Sequence, residues 1–314
     1  MAIAGIFPGQ GSQSIGMLTD LADSFPSIKD TFQQASDVLG FDLWLLTSAG
    51  DATELNQTVN TQPAMLAAGV AVWKVWLEQG GCQPKAVAGH SLGEYSALVA
   101  AGSLSFVDAM TMVRHRAQLM QDAVPEGTGA MAAVLGLDDT VVLEVCEKAA
   151  NGDVVQAVNF NSPGQVVIAG EKAAVERAMA LATEAGAKRV ILLPVSVPSH
   201  CDLMHPAAEK LAEKLADVAL GVASIPVIHN VSATAVSGEV ALRDALKQQL
   251  FKPVQWVQSV AHLKAEYGTE AMVEFGPGKV LFGLNRRIDR KIKTLAVFDP
   301  ASLEKALTLC EESV

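Results

Sequence analysis

One stretch constrains this chain more than any other. Ala86-Val87-Ala88 is a short apolar strand, Gly89-His90-Ser91-Leu92-Gly93 is a turn, and a helix through Tyr95, Leu98 and Val99 follows. A strand that turns sharply into a helix places the chain in the α/β class. It also fixes where Ser91 sits. On such a turn the helix N-terminus aims backbone N–H groups at the serine oxygen.

The rest of the chain alternates in the same way, without low-complexity segments or short repeats. Ala2 to Phe7 predicts a strand that ends in the loop Pro8-Gly9-Gln10-Gly11-Ser12-Gln13. A helix is expected from about Pro63 to Glu78. Pro63 would stand in its first turn, Asn60 or Thr61 would cap it, and Leu66, Val70, Trp73 and Leu77 would share one face. Residues 128–197 have a rhythm of their own. Ala130 to Leu135 reads as a strand, Asp138 to Ala149 as a helix, and Val154 to Asn159 and Gln165 to Ala169 as strands. Ala173 to Ala185 then reads as a helix and Arg189 to Val195 as a strand. That order, βαββαβ, is the ferredoxin-like unit. It predicts a small domain, 128–197, inserted into a larger one formed by 1–127 and 198–314.

Composition removes several function classes. Half of the residues are hydrophobic and 18% are charged, which is globular and not disordered. No apolar run reaches the roughly 20 residues that cross a bilayer. The N-terminal segment lacks a basic leader and reads as a first strand, not a signal peptide. A net charge of −11 argues against nucleic acid as a partner. It leaves room for a local basic patch, and Lys279, Arg286, Arg287, Arg290, Lys291 and Lys293 offer one, although a solvated helix face fits them equally. Cys82, Cys146, Cys201 and Cys310 show no spacing for a metal site or a disulfide framework, so a reduced, cytoplasmic setting is expected.

The chemistry centres on Gly89-x-Ser91-x-Gly93. A serine hydroxyl is a weak nucleophile until a base takes its proton, and flanking glycines allow both the turn and close approach of a substrate. The plain alternative is a helix-capping serine. Among His90, His115, His200, His205, His229 and His262, the best candidate base is His200. It lies in the loop Pro198-Ser199-His200-Cys201 after an apolar strand. Spacing alone fits a capping or surface histidine better. The loop after the first strand matches neither a dinucleotide fingerprint nor a P-loop, but it can aim Gln10 at a developing oxyanion. Arg114 and Arg116 sit two apart on an amphipathic helix, so at most one of them faces a shared pocket. An arginine buried there would suit a carboxylate.

Five blocks in this order resemble the malonyl-CoA:acyl carrier protein transacylase family, closest to the stand-alone bacterial enzymes of type II fatty-acid synthesis. They are Phe7-Pro8-Gly9-Gln10-Gly11-Ser12-Gln13, Gly89-His90-Ser91-Leu92-Gly93-Glu94-Tyr95, Asn159-Phe160-Asn161-Ser162-Pro163-Gly164-Gln165, Pro198-Ser199-His200-Cys201 and Glu274-Phe275-Gly276-Pro277-Gly278. The resemblance implies a large hydrolase-like domain with the ferredoxin-like insert. It implies Ser91 as nucleophile, His200 as base, and Gln10 with the Leu92 N–H as oxyanion hole. Arg116 would hold the malonyl carboxylate, the Gln249 carbonyl would orient the histidine, and His90 and Asn161 would line the site. It further implies malonyl-CoA and acyl carrier protein as partners, with no metal and no cofactor beyond the coenzyme A thioester as substrate. A serine hydrolase or thioesterase with the same elbow is the competing enzyme reading, and a carboxylate-paired histidine would favour it. A non-catalytic binding protein would be expected to lack Ser91, His200 or Arg116, and all three are present.

Overall fold

The computed structural model describes residues 1–195 and 197–311. Among these residues nine strands form two sheets: β1 (Ile3–Phe7), β2 (Ala86–Gly89), β3 (Gly129–Leu135), β4 (Val155–Ser162), β5 (Gln165–Glu171), β6 (Arg189–Leu192), β7 (Val227–Ile228), β8 (Ala271–Phe275) and β9 (Lys293–Val297). The first sheet is parallel throughout, in the order β7-β2-β1-β8-β9. Its central strands are buried on both faces, as parallel strands covered by crossover helices must be. Alternation along β1 assigns the faces. Ile3 and Phe7 enter the larger core, whereas Ala4 and Ile6 join Trp256, Val260 and Leu281 on the other side.

The second sheet is antiparallel, in the order β4-β5-β3-β6. Helices Asp139–Ala150 and Lys172–Glu184 cover one of its faces with a separate apolar cluster. The other face, through Met131, Ala133, Val158, Val167 and Ala169, packs against Cys201, the neighbour of His200. Backbone hydrogen bonds tie the second sheet to the segment that leads into the helix Trp256–Tyr267. Phe160 N–H donates to the Val254 carbonyl at 3.0 Å, and Val254 N–H donates to the Val158 carbonyl at 2.8 Å.

Two expectations need correction. The long helix runs Thr58–Glu78, so Pro63 lies inside it and not in its first turn. Proline has no N–H, which strips the carbonyl four residues earlier of its helical donor. That carbonyl belongs to Val59, and the Arg114 guanidinium fills the gap at 2.7 Å. The helix is buried nearly all round and exposed at its C-terminal end, where Leu77 and Glu78 face solvent. The second correction concerns the cysteines. Cys82 and Cys310, 228 residues apart, are joined in a disulfide with their Cα atoms 5.4 Å apart. One follows the long helix and the other ends the last helix, Pro300–Glu311. Only the tertiary fold makes them neighbours, so spacing could not pair them, and cysteine usage no longer argues for a reduced setting.

Candidate active site

Strand ends build the site. Phe7 pairs with Gly89 and Ala88 pairs with Ile228, so β1, β2 and β7 release their chains side by side at one sheet edge. The carboxyl edge of a parallel sheet is where such folds place ligands. The loop carrying Gln10, the turn carrying Ser91, and His229-Asn230 all start there.

The turn is sharp because of its glycines. A Cβ on Gly89 would lie 1.9 Å from the Gly93 carbonyl carbon, and one on Gly93 would lie 2.1 Å from the Phe7 oxygen. Ser91 itself stands at φ 52°, and His200 at φ 67°. Left-handed backbone costs a non-glycine residue about 1 kcal/mol, so both positions need surroundings that hold them.

His200 is held on three sides. Its backbone N–H donates to the Leu250 carbonyl at 2.9 Å. Its Nδ1–H donates to the Gln249 carbonyl at 2.6 Å, which leaves Nε2 unprotonated and 2.7 Å from Ser91 Oγ. Burial first, and then the positive Arg116, lower its pKa to about 3, against the opposing pull of the Gln249 carbonyl. The imidazole at neutral pH is therefore a neutral acceptor aimed at a hydroxyl proton.

Arg116 is fully buried on the helix Phe106–Ala123. Its Nη1 donates to Gln62 Oε1 at 2.7 Å, and its Nη2 donates to Gln249 Oε1 at 3.0 Å and lies 3.4 Å from Ser91 Oγ. Its Nε has no acceptor among the described residues. Burial pulls its pKa downward, partly offset by Tyr95 and Glu94. The acceptors on the fork are neutral amide oxygens, and no ion pair reaches Arg116 among the described residues. A buried cation without an anion is costly and suits an anionic ligand.

The other expected residues join the same cluster. Gln10 Oε1 accepts from Gln62 Nε2 at 3.3 Å. Leu92 heads the helix Gly93–Ala100, where the first N–H groups have no intrahelical acceptor. The Gln249 side chain also donates to the Ser91 carbonyl at 3.0 Å. His90 Nε2 lies 2.7 Å from Asn161 Oδ1. Asn161 is the extra residue of a β-bulge opposite Val166 and Gln165, and a bulge re-aims a side chain in this way. Arg114 points elsewhere, to Val59.

Ser91, His200, Gln10 and His90 line a small cavity of about 100 Å³ together with Thr58, Met131 and Asn159. Leu193 and Val195 connect it to a groove of about 610 Å³ between residues 52–57 and the second sheet. A cavity of about 490 Å³ around Pro125, Glu171 and Glu176 holds none of these residues. The sequence reading missed Gln62, Asn230, Glu94 and His229. Glu94 follows the serine motif directly, but nothing in its spacing reveals a partner.

Comparisons with known proteins give the family of the chain. The acyl transferase domain family matches residues 5–294. The chain is 55% identical over 303 residues to the malonyl CoA-acyl carrier protein transacylase of Salmonella typhimurium, covering 96% of this chain and 98% of that one. It is 48% identical over 313 residues to the protein of the same name from Bacillus subtilis, covering 99% and 98%. Among solved structures it resembles a malonyl-transacylase in complex with a type II PKS acyl-carrier protein, with a TM-score of 0.97 and 53% identity, covering 98% of this chain and 100% of that one. It also resembles an acyl carrier protein S-malonyltransferase from Vibrio cholerae, with a TM-score of 0.94 and 55% identity, covering 97% and 99%.

Proposed function

The chain belongs to the acyl transferase domain family, and we propose that it is an enzyme that moves malonyl from malonyl-CoA to the phosphopantetheine thiol of acyl carrier protein. The observation that carries this reading is a buried arginine with no anionic partner, 3.4 Å from a serine oxygen that faces a neutral histidine.

The transfer runs in two half-reactions. Ser91 Oγ attacks the thioester carbonyl while its proton passes to His200 Nε2. The Gln249 carbonyl holds the Nδ1–H of the imidazolium that forms. The oxyanion takes hydrogen bonds at the Leu92 N–H and Gln10, a contribution of about 3 to 4 kcal/mol per donor in comparable sites. Collapse expels coenzyme A thiolate, which takes the proton from Nε2 and leaves malonyl on Ser91. The carrier thiol then attacks the ester by the same route reversed. During both halves the malonyl carboxylate replaces the Gln62 and Gln249 amide oxygens on the Arg116 fork. His90 and Asn161 hold the wall of the cavity across to the second sheet.

We read residues 128–197 as a ferredoxin-like insert in a hydrolase-like domain formed by 1–127 and 198–314. The strand order β4-β5-β3-β6 with two helices on one face supports this. No cofactor enters the scheme, since coenzyme A arrives as substrate. A cytoplasmic setting and a role in supplying fatty-acid synthesis complete the reading. Among the described residues no helix is long and apolar enough to cross a membrane. The hydrolase alternative loses its expected support, because His200 is oriented by a carbonyl and not by a carboxylate.

The test is intact mass after brief exposure to malonyl-CoA, followed by holo acyl carrier protein. The expected result is a malonyl adduct at Ser91 that is absent in Ser91→Ala and passes to the carrier thiol. An adduct that decays equally fast without carrier would make the chain a hydrolase.

A further inference from the structure

The geometry points to Asn230 as a positioning residue for the nucleophile. This inference rests on Ser91 being the nucleophile, as read above. Asn230 Oδ1 accepts the Ser91 backbone N–H at 2.6 Å, and Asn230 Nδ2 donates to the Gly89 carbonyl at 2.5 Å. One side chain thus clamps the peptide groups on both sides of His90, across the turn that holds Ser91 at φ 52°.

The clamp is itself held. Asn230 N–H donates to Glu94 Oε2 at 2.9 Å, and His229 Nδ1 lies 2.8 Å from Glu94 Oε1. Glu94, His229 and Asn230 are all buried. The loop that carries them is fixed too. His229 N–H donates to the Thr234 carbonyl, Ala233 N–H to the His229 carbonyl, and Gln255 N–H to the Asn230 carbonyl. Glu94 lies on the helix that begins just after Ser91, so the network closes on the element it positions.

Two consequences follow for the chemistry. The strained turn gains two compensating hydrogen bonds, one at the Ser91 N–H and one at the Gly89 carbonyl. The Ser91 N–H is also occupied by Asn230, so the nearest amide left for an oxyanion is that of Leu92. Loss of the clamp would let the turn relax and carry Oγ away from His200 Nε2, and a displacement of about 1 Å at a reacting atom can cost about 100-fold in rate.

The test compares Asn230→Ala, Asn230→Asp and the parent protein, each verified as folded by its thermal midpoint. Two readouts are used: acylation by malonyl-CoA and phosphonylation of Ser91 by a fluorophosphonate. Asn230→Ala is expected to slow both reactions by about 10- to 100-fold with KM for malonyl-CoA unchanged, because the Arg116 fork is untouched. Asp at this position keeps the acceptor for Ser91 N–H but donates to Gly89 only when protonated. Its carboxylate would face that carbonyl and the Glu94 carboxylate, with His229 on the other Glu94 oxygen and the Arg116 guanidinium acting on Glu94 from the neighbouring helix. Asn230→Asp is therefore expected to regain Ser91 reactivity as pH falls, which the parent does not. Parental labelling rates in a folded Asn230→Ala, or a flat pH response in Asn230→Asp, overturn the inference. If the parent takes no malonyl but both variants slow phosphonylation as described, the malonyl reading falls and the positioning role stands. If the parent is not phosphonylated at Ser91, both fall.

Discussion

At the scale of residues, the site depends on two buried groups whose charge states are set by their surroundings. His200 is pushed down to about 3 by burial and by Arg116. Its proton uptake therefore cannot produce an acid limb near the ordinary histidine value of 6.5. The acylation kcat/KM is expected to hold level from about pH 7 to about pH 5, where an ordinary histidine would be protonated. Stopped-flow rates across that range check it, and a limb between pH 6 and 7 would show that His200 is more exposed than its burial indicates. The same shift acts on stability. The unfolded chain binds a proton at His200 below 6.5 that the folded chain refuses until about 3. Between those values the contribution of this residue makes the fold less stable as pH falls. Arg116 is the residue expected to set selectivity. Its replacement by alanine removes the partner of a buried carboxylate, a loss of about 3 to 5 kcal/mol, or roughly 100- to 4000-fold in malonyl kcat/KM. Acetyl has no distal carboxylate, so its slow transfer should change by only a few-fold. Equal losses on both acyl groups would remove Arg116 from substrate recognition. Ser91 was legible because its glycines have a steric reason that shows in spacing. Asn230 was not, since a lone asparagine after a two-residue strand leaves no pattern to read.

At the scale of elements, helix boundaries were the least legible feature, and Pro63 shows why. Local rules place proline in a first turn because an interior proline leaves a carbonyl without a donor. The long helix escapes the rule through a residue 51 positions later, Arg114, whose guanidinium reaches that carbonyl at 2.7 Å. Arg114→Met keeps much of the stem but leaves the Val59 carbonyl unsatisfied, at a cost of about 1 to 3 kcal/mol. A urea midpoint shifted down by that amount, with malonyl transfer per folded molecule retained, is the expected outcome. An unchanged midpoint would mean that water replaces the guanidinium without penalty. The pair Arg114 and Arg116 thereby divides its labour: one mends the long helix and the other faces the serine. Sequence periodicity could say that they diverge, but not which faced the pocket. The strand-turn-helix unit, in contrast, was readable almost residue by residue. Its constraint is local, and Gly93→Ala would force a Cβ to 2.1 Å from the Phe7 oxygen.

At the scale of the whole molecule, the charge distribution offers one face to an acidic carrier. The chain carries −11 overall, yet Arg286 and Arg287 are exposed at the end of the helix Val280–Ile288, with Arg290, Lys291 and Lys293 exposed just beyond. Asp289, the acid among them, is engaged by Lys264 and is held below the usual carboxylate range by it. The Arg287 side chain donates to Gln165 at the start of β5, so this face runs from the parallel sheet's helices onto the second sheet. Such a face can receive an acidic carrier. Steering by a patch of this kind acts on association and weakens with salt. Arg286→Glu with Arg287→Glu should therefore lower carrier kcat/KM by roughly tenfold or more at low salt. Raising the ionic strength should narrow that gap. Acylation by malonyl-CoA serves as the internal reference, because it reports the Ser91 site without the carrier. A selective loss in the carrier half-reaction places docking on this face, whereas unchanged kinetics in both halves would reduce these five cations to a solvated surface and move docking elsewhere.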